Sequence, residues 1–281
     1  MRLLLIFTIT SLLLGASPTL DQALKLYNRT EFQASLKLLQ ESPEKTAATF
    51  DLIGRNHYML GDFKKASESY EKAVALEPGN STYENWLGKA YGRRAETSSP
   101  LTAPGHASKT RQHFEKAVAL DPRNLEAAND LFEYYLEAPG FLGGGLDKAA
   151  ALAKRIAGRD PVEGHWAQAR IAEKRKEFGQ AEAQLRRAAE LAPKQVGRVV
   201  DLAKFFAKRG RFQESDQKFS EADKLAPGSP KLLFERAATY IQSKRNVDQA
   251  RELLKRYLAA PLGPDDPPRT EAEKLLKVAG S

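Results

Sequence analysis

Apolar residues return every three or four positions along almost the whole chain, the period of amphipathic helices and not of strands. The pattern is cut into short blocks by turns carrying Gly61-Asp62 or Gly210-Arg211 and by prolines, which cannot continue a helix. Four blocks close alike: KAVALEPGN (72–80), KAVALDPRN (116–124), RAAELAPKQ (187–195) and EADKLAPGS (221–229). In each, a proline (Pro78, Pro122, Pro193, Pro227) follows five residues after an alanine (Ala73, Ala117, Ala188, Ala222). Pro161 reads as the end of a looser copy, with Ile156 in the alanine's place. Between Pro193 and Pro227 the period is 34 residues (227 − 193).

Read backward from the prolines, each unit holds two short helices. In 47–80 the marks are Gly54, Tyr58, Ala66, Tyr70, Ala73 and Pro78; in 162–195 they are Ala169, Phe178, Ala181, Leu185, Ala188 and Pro193. In 196–229 they are Ala203, Phe206, Gly210, Phe219, Ala222 and Pro227. Small residues at Gly54, Ala169 and Ala203 let paired helices approach, while aromatics fill the space beyond. This order of small, aromatic and proline marks resembles the tetratricopeptide repeat. The resemblance implies an all-α fold, a right-handed α-solenoid of about six helix pairs that binds a partner and does not catalyse. A fixed period of about this length is the signature of such stacked repeats.

The units run approximately 18–46, 47–80, 81–124, 125–161, 162–195, 196–229 and 230–263, with a capping helix over 269–278. The first is short, as a terminal unit is expected to be. Unit 81–124 carries an insertion at 95–106, and unit 125–161 another within 138–149. Both are expected to project from one edge. Phe141 and Leu142, beside Gly143-Gly144-Gly145, then form an apolar tip on a mobile loop and a candidate docking point.

The first residues stand apart. Met1-Arg2, the apolar run Leu3–Leu14 and the small residues Gly15-Ala16-Ser17 have the order of a secretory signal. The run is too short for a comfortable membrane span, which needs roughly 20 residues. Residues 1–17 are therefore expected to be a signal peptide cut near Ala16, placing 18–281 in the periplasm or outside the cell; membrane contact follows only if the segment stays uncleaved. The formal charge of +8 favours acidic partners. With no cysteine, disulfides, thiolate metal sites and thiol nucleophiles are excluded.

No catalytic, metal or cofactor constellation emerges. The four histidines (His57, His106, His113, His165) show no metal-ligand spacing. His57, beside Tyr58, reads as packing. The glycine triplet lacks a following Lys-Ser or Lys-Thr and reads as a flexible turn before a helix capped by Asp147. Asp265-Asp266 between prolines reads as a turn. The basic charge carries no recognised nucleic-acid module, so none is expected. The rival reading is an enzyme using the insertions around His106, His113 and Asp147.

The resemblance also implies that certain first-helix positions, four residues apart, point into a concave groove. Here they are Arg55 and Met59, Lys89 and Arg93, Glu133 and Glu137, Arg170 and Lys174, and Lys204 and Lys208. Trp166 lies one turn before Arg170. Like charges at this spacing are mildly unfavourable within one helix. A mainly basic groove is expected, receiving an extended acidic protein or peptide segment, with Glu133 and Glu137 choosing a basic residue in it.

Overall fold

Amphipathic blocks of ten to eighteen residues, too short to be stable alone, must bury their apolar stripes against one another. The computed structural model describes residues 18–263 and 266–280; the expected signal peptide (1–17) and Asp265 lie outside them. Among the described residues there are fifteen α-helices and no strand. They form seven pairs: α1 (Pro18–Asn28) with α2 (Phe32–Glu41), α3 (Ala47–Met59) with α4 (Phe63–Leu76), α5 (Ser81–Thr97) with α6 (Ala103–Leu120), and α7 (Leu125–Glu137) with α8 (Leu146–Ala157). There follow α9 (Pro161–Lys174) with α10 (Phe178–Leu191), α11 (Val196–Lys208) with α12 (Phe212–Leu225), α13 (Pro230–Gln242) with α14 (Val247–Ala259), and the capping helix α15 (Arg269–Gly280). The expected six pairs become seven because the short first unit is a complete helix pair.

The repeat marks have their physical reasons in the packing. A Cβ on Gly54 would lie 2.8 Å from the Tyr70 ring, and one on Gly88 2.5 Å from Phe114, so α3–α4 and α5–α6 meet only because no side chain intervenes. Ala66, Ala73, Ala117, Ala169, Ala181, Ala203 and Ala222 are fully buried. Tyr70, Phe132, Phe206 and Phe219 fill the interior beyond them, and each large buried side chain stabilises the fold by roughly 1.5–3 kcal/mol. Helices α4, α6, α10 and α12 end at Leu76, Leu120, Leu191 and Leu225, two residues before their prolines. Side-chain oxygens of Thr46, Asp62, Asn80, Asn124, Asp160 and Ser229 cap the following helices.

Four local expectations change. Pro161 does not close α8, which ends at Ala157; it opens α9 at the first helical position, where its missing N–H costs nothing. The insertion at 95–106 is mostly helix: it lengthens α5 and α6 and leaves only residues 98–102 between them. Gly143 and Gly144 of the glycine triplet are packed tightly and do not form a loose turn. A Cβ on Gly144 would stand 1.9 Å from the Ala138 carbonyl oxygen, and Gly143 (φ +88°) lies under Arg111 of α6. Asp147 does not cap α8; Gly145 occupies that position, and Asp147 sits exposed in the first turn.

Candidate functional site

First helices of successive pairs lie side by side, so a charge on one faces a charge about one repeat away. Lys89 on α5 donates to Glu126 and lies 3.2 Å from Asp130, both on α7. Arg170 on α9 grips Glu133 of α7 with two hydrogen bonds, 2.9 and 3.0 Å, and reaches Glu137 at 3.3 Å. It also bonds Glu173 of its own helix at 3.2 Å, while Lys174 donates to Glu137 at 2.8 Å. Arg198 of α11 reaches Glu163 of α9 at 2.8 Å, Lys208 lies 3.8 Å from Glu173, and Lys204 pairs with Glu235 of α13. Arg55 is held by Asp51 at 2.9 Å, and both Arg55 and Lys89 lie over the Trp86 ring.

The expected mainly basic surface is thus a ladder of matched charges. The like-signed pairs on single helices are answered by opposite charges on the neighbouring repeat, except at Arg93, which pairs with Glu96 of its own helix and with Glu271 of α15. Burial pulls the Lys89 ammonium down, but Asp130 and Glu126 outweigh it and hold it above its ordinary range. The hydrogen bonds that Arg170 donates to Glu133 likewise hold its guanidinium above its ordinary range. Met59, expected in the groove, is buried among Tyr27, Leu36 and Leu39 instead.

Three clefts of about 210, 500 and 690 Å³ run along the face from α7 to α13. Trp166 lines the first two, Lys208 the first and third, and Lys204 all three. Trp166 packs 5.7 Å from Phe132 across the repeat boundary and also lines the clefts.

The tetratricopeptide repeat model matches residues 47–80, the unit with the fullest set of marks. The chain carries a tetratricopeptide repeat at residues 47–80 and has the all-helical fold of solved tetratricopeptide-repeat proteins. Its fold is similar to a solved tetratricopeptide repeat protein from Parabacteroides merdae ATCC 43184, with a TM-score of 0.59 and 13% identity, covering 94% of this chain and 98% of that one. A thermophilic repeat protein of Thermus thermophilus aligns over 67% of this chain and 97% of its own, with a TM-score of 0.54 and 23% identity. No curated protein matches the sequence.

Within this repeat protein, the clefts contain one unusual acid. Burial pushes the Asp201 carboxyl up to about 6, although Arg198, 3.1 Å away, pulls it down. A raised acid favours the folded state below its unfolded value of 3.8, and that advantage is lost as pH rises through about 6. Asp201→Asn is therefore expected to be more stable than the wild type at pH 7.5, by about 1–3 kcal/mol. Urea titrations at pH 7.5 and pH 4.5 check this: the difference should shrink at the lower pH.

The residues of the enzyme reading are partly gathered. His106 and His113 both stack on Tyr91, at 5.8 and 5.6 Å, and His113 Nδ1 lies 2.7 Å from the buried Glu84, which Lys116 also holds. Asp147 makes no hydrogen bond or ion pair with either histidine. Among the described residues no group of three or more His, Cys, Asp or Glu is arranged to hold a metal. His57 is buried, and burial lowers its pKa. Phe141 is 84% exposed, while Leu142 is half-buried with its carbonyl bonded by the Tyr134 hydroxyl at 2.9 Å. Of these two residues only Phe141 stands open to solvent.

Sequence reasoning missed the acidic half of the ladder: Glu126, Asp130, Glu163, Glu173 and Glu235. The signal was present. Lys89 and Glu126, Arg170 and Glu133, and Lys174 and Glu137 are each 37 residues apart, close to one unit length.

Proposed function

We propose that this repeat protein is a non-catalytic scaffold that holds an extended segment of a partner protein along the face from α7 to α13, in the cell envelope after export. The observation that carries the reading is that three neighbouring clefts share Lys204, with Trp166 and Lys208 each lining two of them. A segment laid there meets the Lys208 ammonium, which is half exposed and only loosely held by Glu173, so an acidic side chain is favoured at that end. Elsewhere the matched ladder favours a polar segment of mixed charge.

Export rests on the basic start, apolar run and small residues of 1–17. Among the described residues no helix is long and apolar enough to cross a membrane. An uncleaved leader would make the protein a membrane-anchored assembly or secretion factor.

The test is an affinity pull-down from the host's envelope fraction, comparing wild type with Lys204→Gln/Lys208→Gln. The expected result is a protein enriched by wild type and lost, or at least several-fold reduced, with a variant of unchanged helical circular dichroism. Equal retention by both would remove the clefts as the binding site. N-terminal sequencing of the same material, starting near residue 17 or at Met1, separates the exported form from the anchored one.

A further inference from the structure

The two ends of the repeat array touch. Arg93 stands on the first helix of the third pair, stacked 4.9 Å over Phe63, and its Nη2 donates to Glu271 of the capping helix at 2.7 Å. These residues are 178 positions apart. Beside them, Thr30–Ala34 and Met59-Leu60 from the first pairs face Leu262, Gly263 and Asp266–Thr270 across a cleft of about 410 Å³. A second cleft of about 620 Å³ lies between Tyr58 and Phe63 on one side and Phe234, Pro267 and Pro268 on the other.

We propose that the C-terminal segment is a latch that closes the superhelix onto its own N-terminal repeats, with Glu271 occupying Arg93 as an internal acidic ligand. The two sides of the latch are built differently. On the C-terminal side it is fixed: Ala272 is fully buried against α13 and α14, Arg269 bonds the Ala260 carbonyl at 3.0 Å, and the Tyr257 hydroxyl bonds the Pro267 carbonyl. On the N-terminal side it is loose. The facing surfaces leave clefts far larger than the voids of a packed core, and the closing ion pair is partly exposed on both partners. Such a pair is weak and screened by salt. The seam therefore parts at the N-terminal repeats while α15 stays docked.

Arg93 belongs to the same inner face as Lys89, so a partner bringing a carboxylate to this end must displace Glu271. That consequence rests on the scaffold reading. The latch itself does not, because its state is read without any partner.

The cysteine-free chain suits the test. In the full-length protein, Lys37→Cys and Lys277→Cys place spin labels on exposed positions of α2 and α15, and dipolar spectroscopy reads the distance between them. The expected result at low salt is one narrow, short distance. Glu271→Lys should lose that population with helical circular dichroism unchanged, and the charge swap Arg93→Glu/Glu271→Arg should restore it. A broad distribution in the unaltered background, or the same narrow distance in Glu271→Lys, would overturn the latch. A swap that fails to restore the distance would show that Glu271 does not act through Arg93 and overturn their pairing as the closure.

Discussion

Phe132→Ala is expected to lower the unfolding free energy by about 3–5 kcal/mol, because it leaves a large cavity in a core that cannot fully collapse. Phe132 is 0% exposed and sits within the cluster that joins α6, α7, α8 and α9. Its ring packs 5.7 Å from Trp166 on the next repeat, so the substitution weakens a repeat and a repeat boundary together. In a repeat array stability is the sum of units and nearest-neighbour interfaces. Urea unfolding should therefore change from one transition to two as the N-terminal and C-terminal pairs uncouple. Hydrogen exchange read by mass spectrometry would place the early opening in α7 to α9. A single transition with a loss below about 1 kcal/mol, the ordinary size of a point-mutant effect, would mean that this boundary does not couple the two halves.

Arg170→Met should cost about 2–3 kcal/mol, at the low end for breaking a buried pair because the side chain is partly exposed. Arg170 is the hub of the ladder. It answers Glu133, Glu137 and Glu173, and its loss leaves Lys174 for Glu137 and Lys208 for Glu173. Glu133 is left with no partner. The prediction is specific to that pairing: adding Glu133→Gln to Arg170→Met should recover at least half of the loss, since the unanswered charge is then gone. A double-mutant cycle in urea measures it. A strictly additive double variant would mean that Arg170 acts through its aliphatic stem and not through Glu133.

The charged residues divide legible from illegible features. Arg170, Lys174, Lys204 and Lys208 are recognisable as first-helix, inner-face positions from the repeat frame alone. Their partners were harder to see, because an acid one unit away looks like any other surface acid until two helices are known to lie side by side. The insertions misled for a different reason. Residues 95–106 contain Ser, Thr, Pro and Gly, which mark loops, yet packing between α5 and α6 draws most of them into helix. Gly143 to Gly145 read as freedom; close approach of Arg111 to Gly143 and of the Ala138 carbonyl to Gly144 makes those two a constraint.

By itself the sequence determined the helical repeat. Alanine and proline at a fixed offset, with glycine or alanine where helices cross, leave no room for another packing, because only small residues permit the approach seen at Gly54 and Ala169. Those are local relations, spanning one unit. Whether the two ends meet was decided by the tertiary structure alone. It depends on the rotation between successive repeats, a small angle summed along the array. That sum brings Glu271 to Arg93 and is written in no single unit.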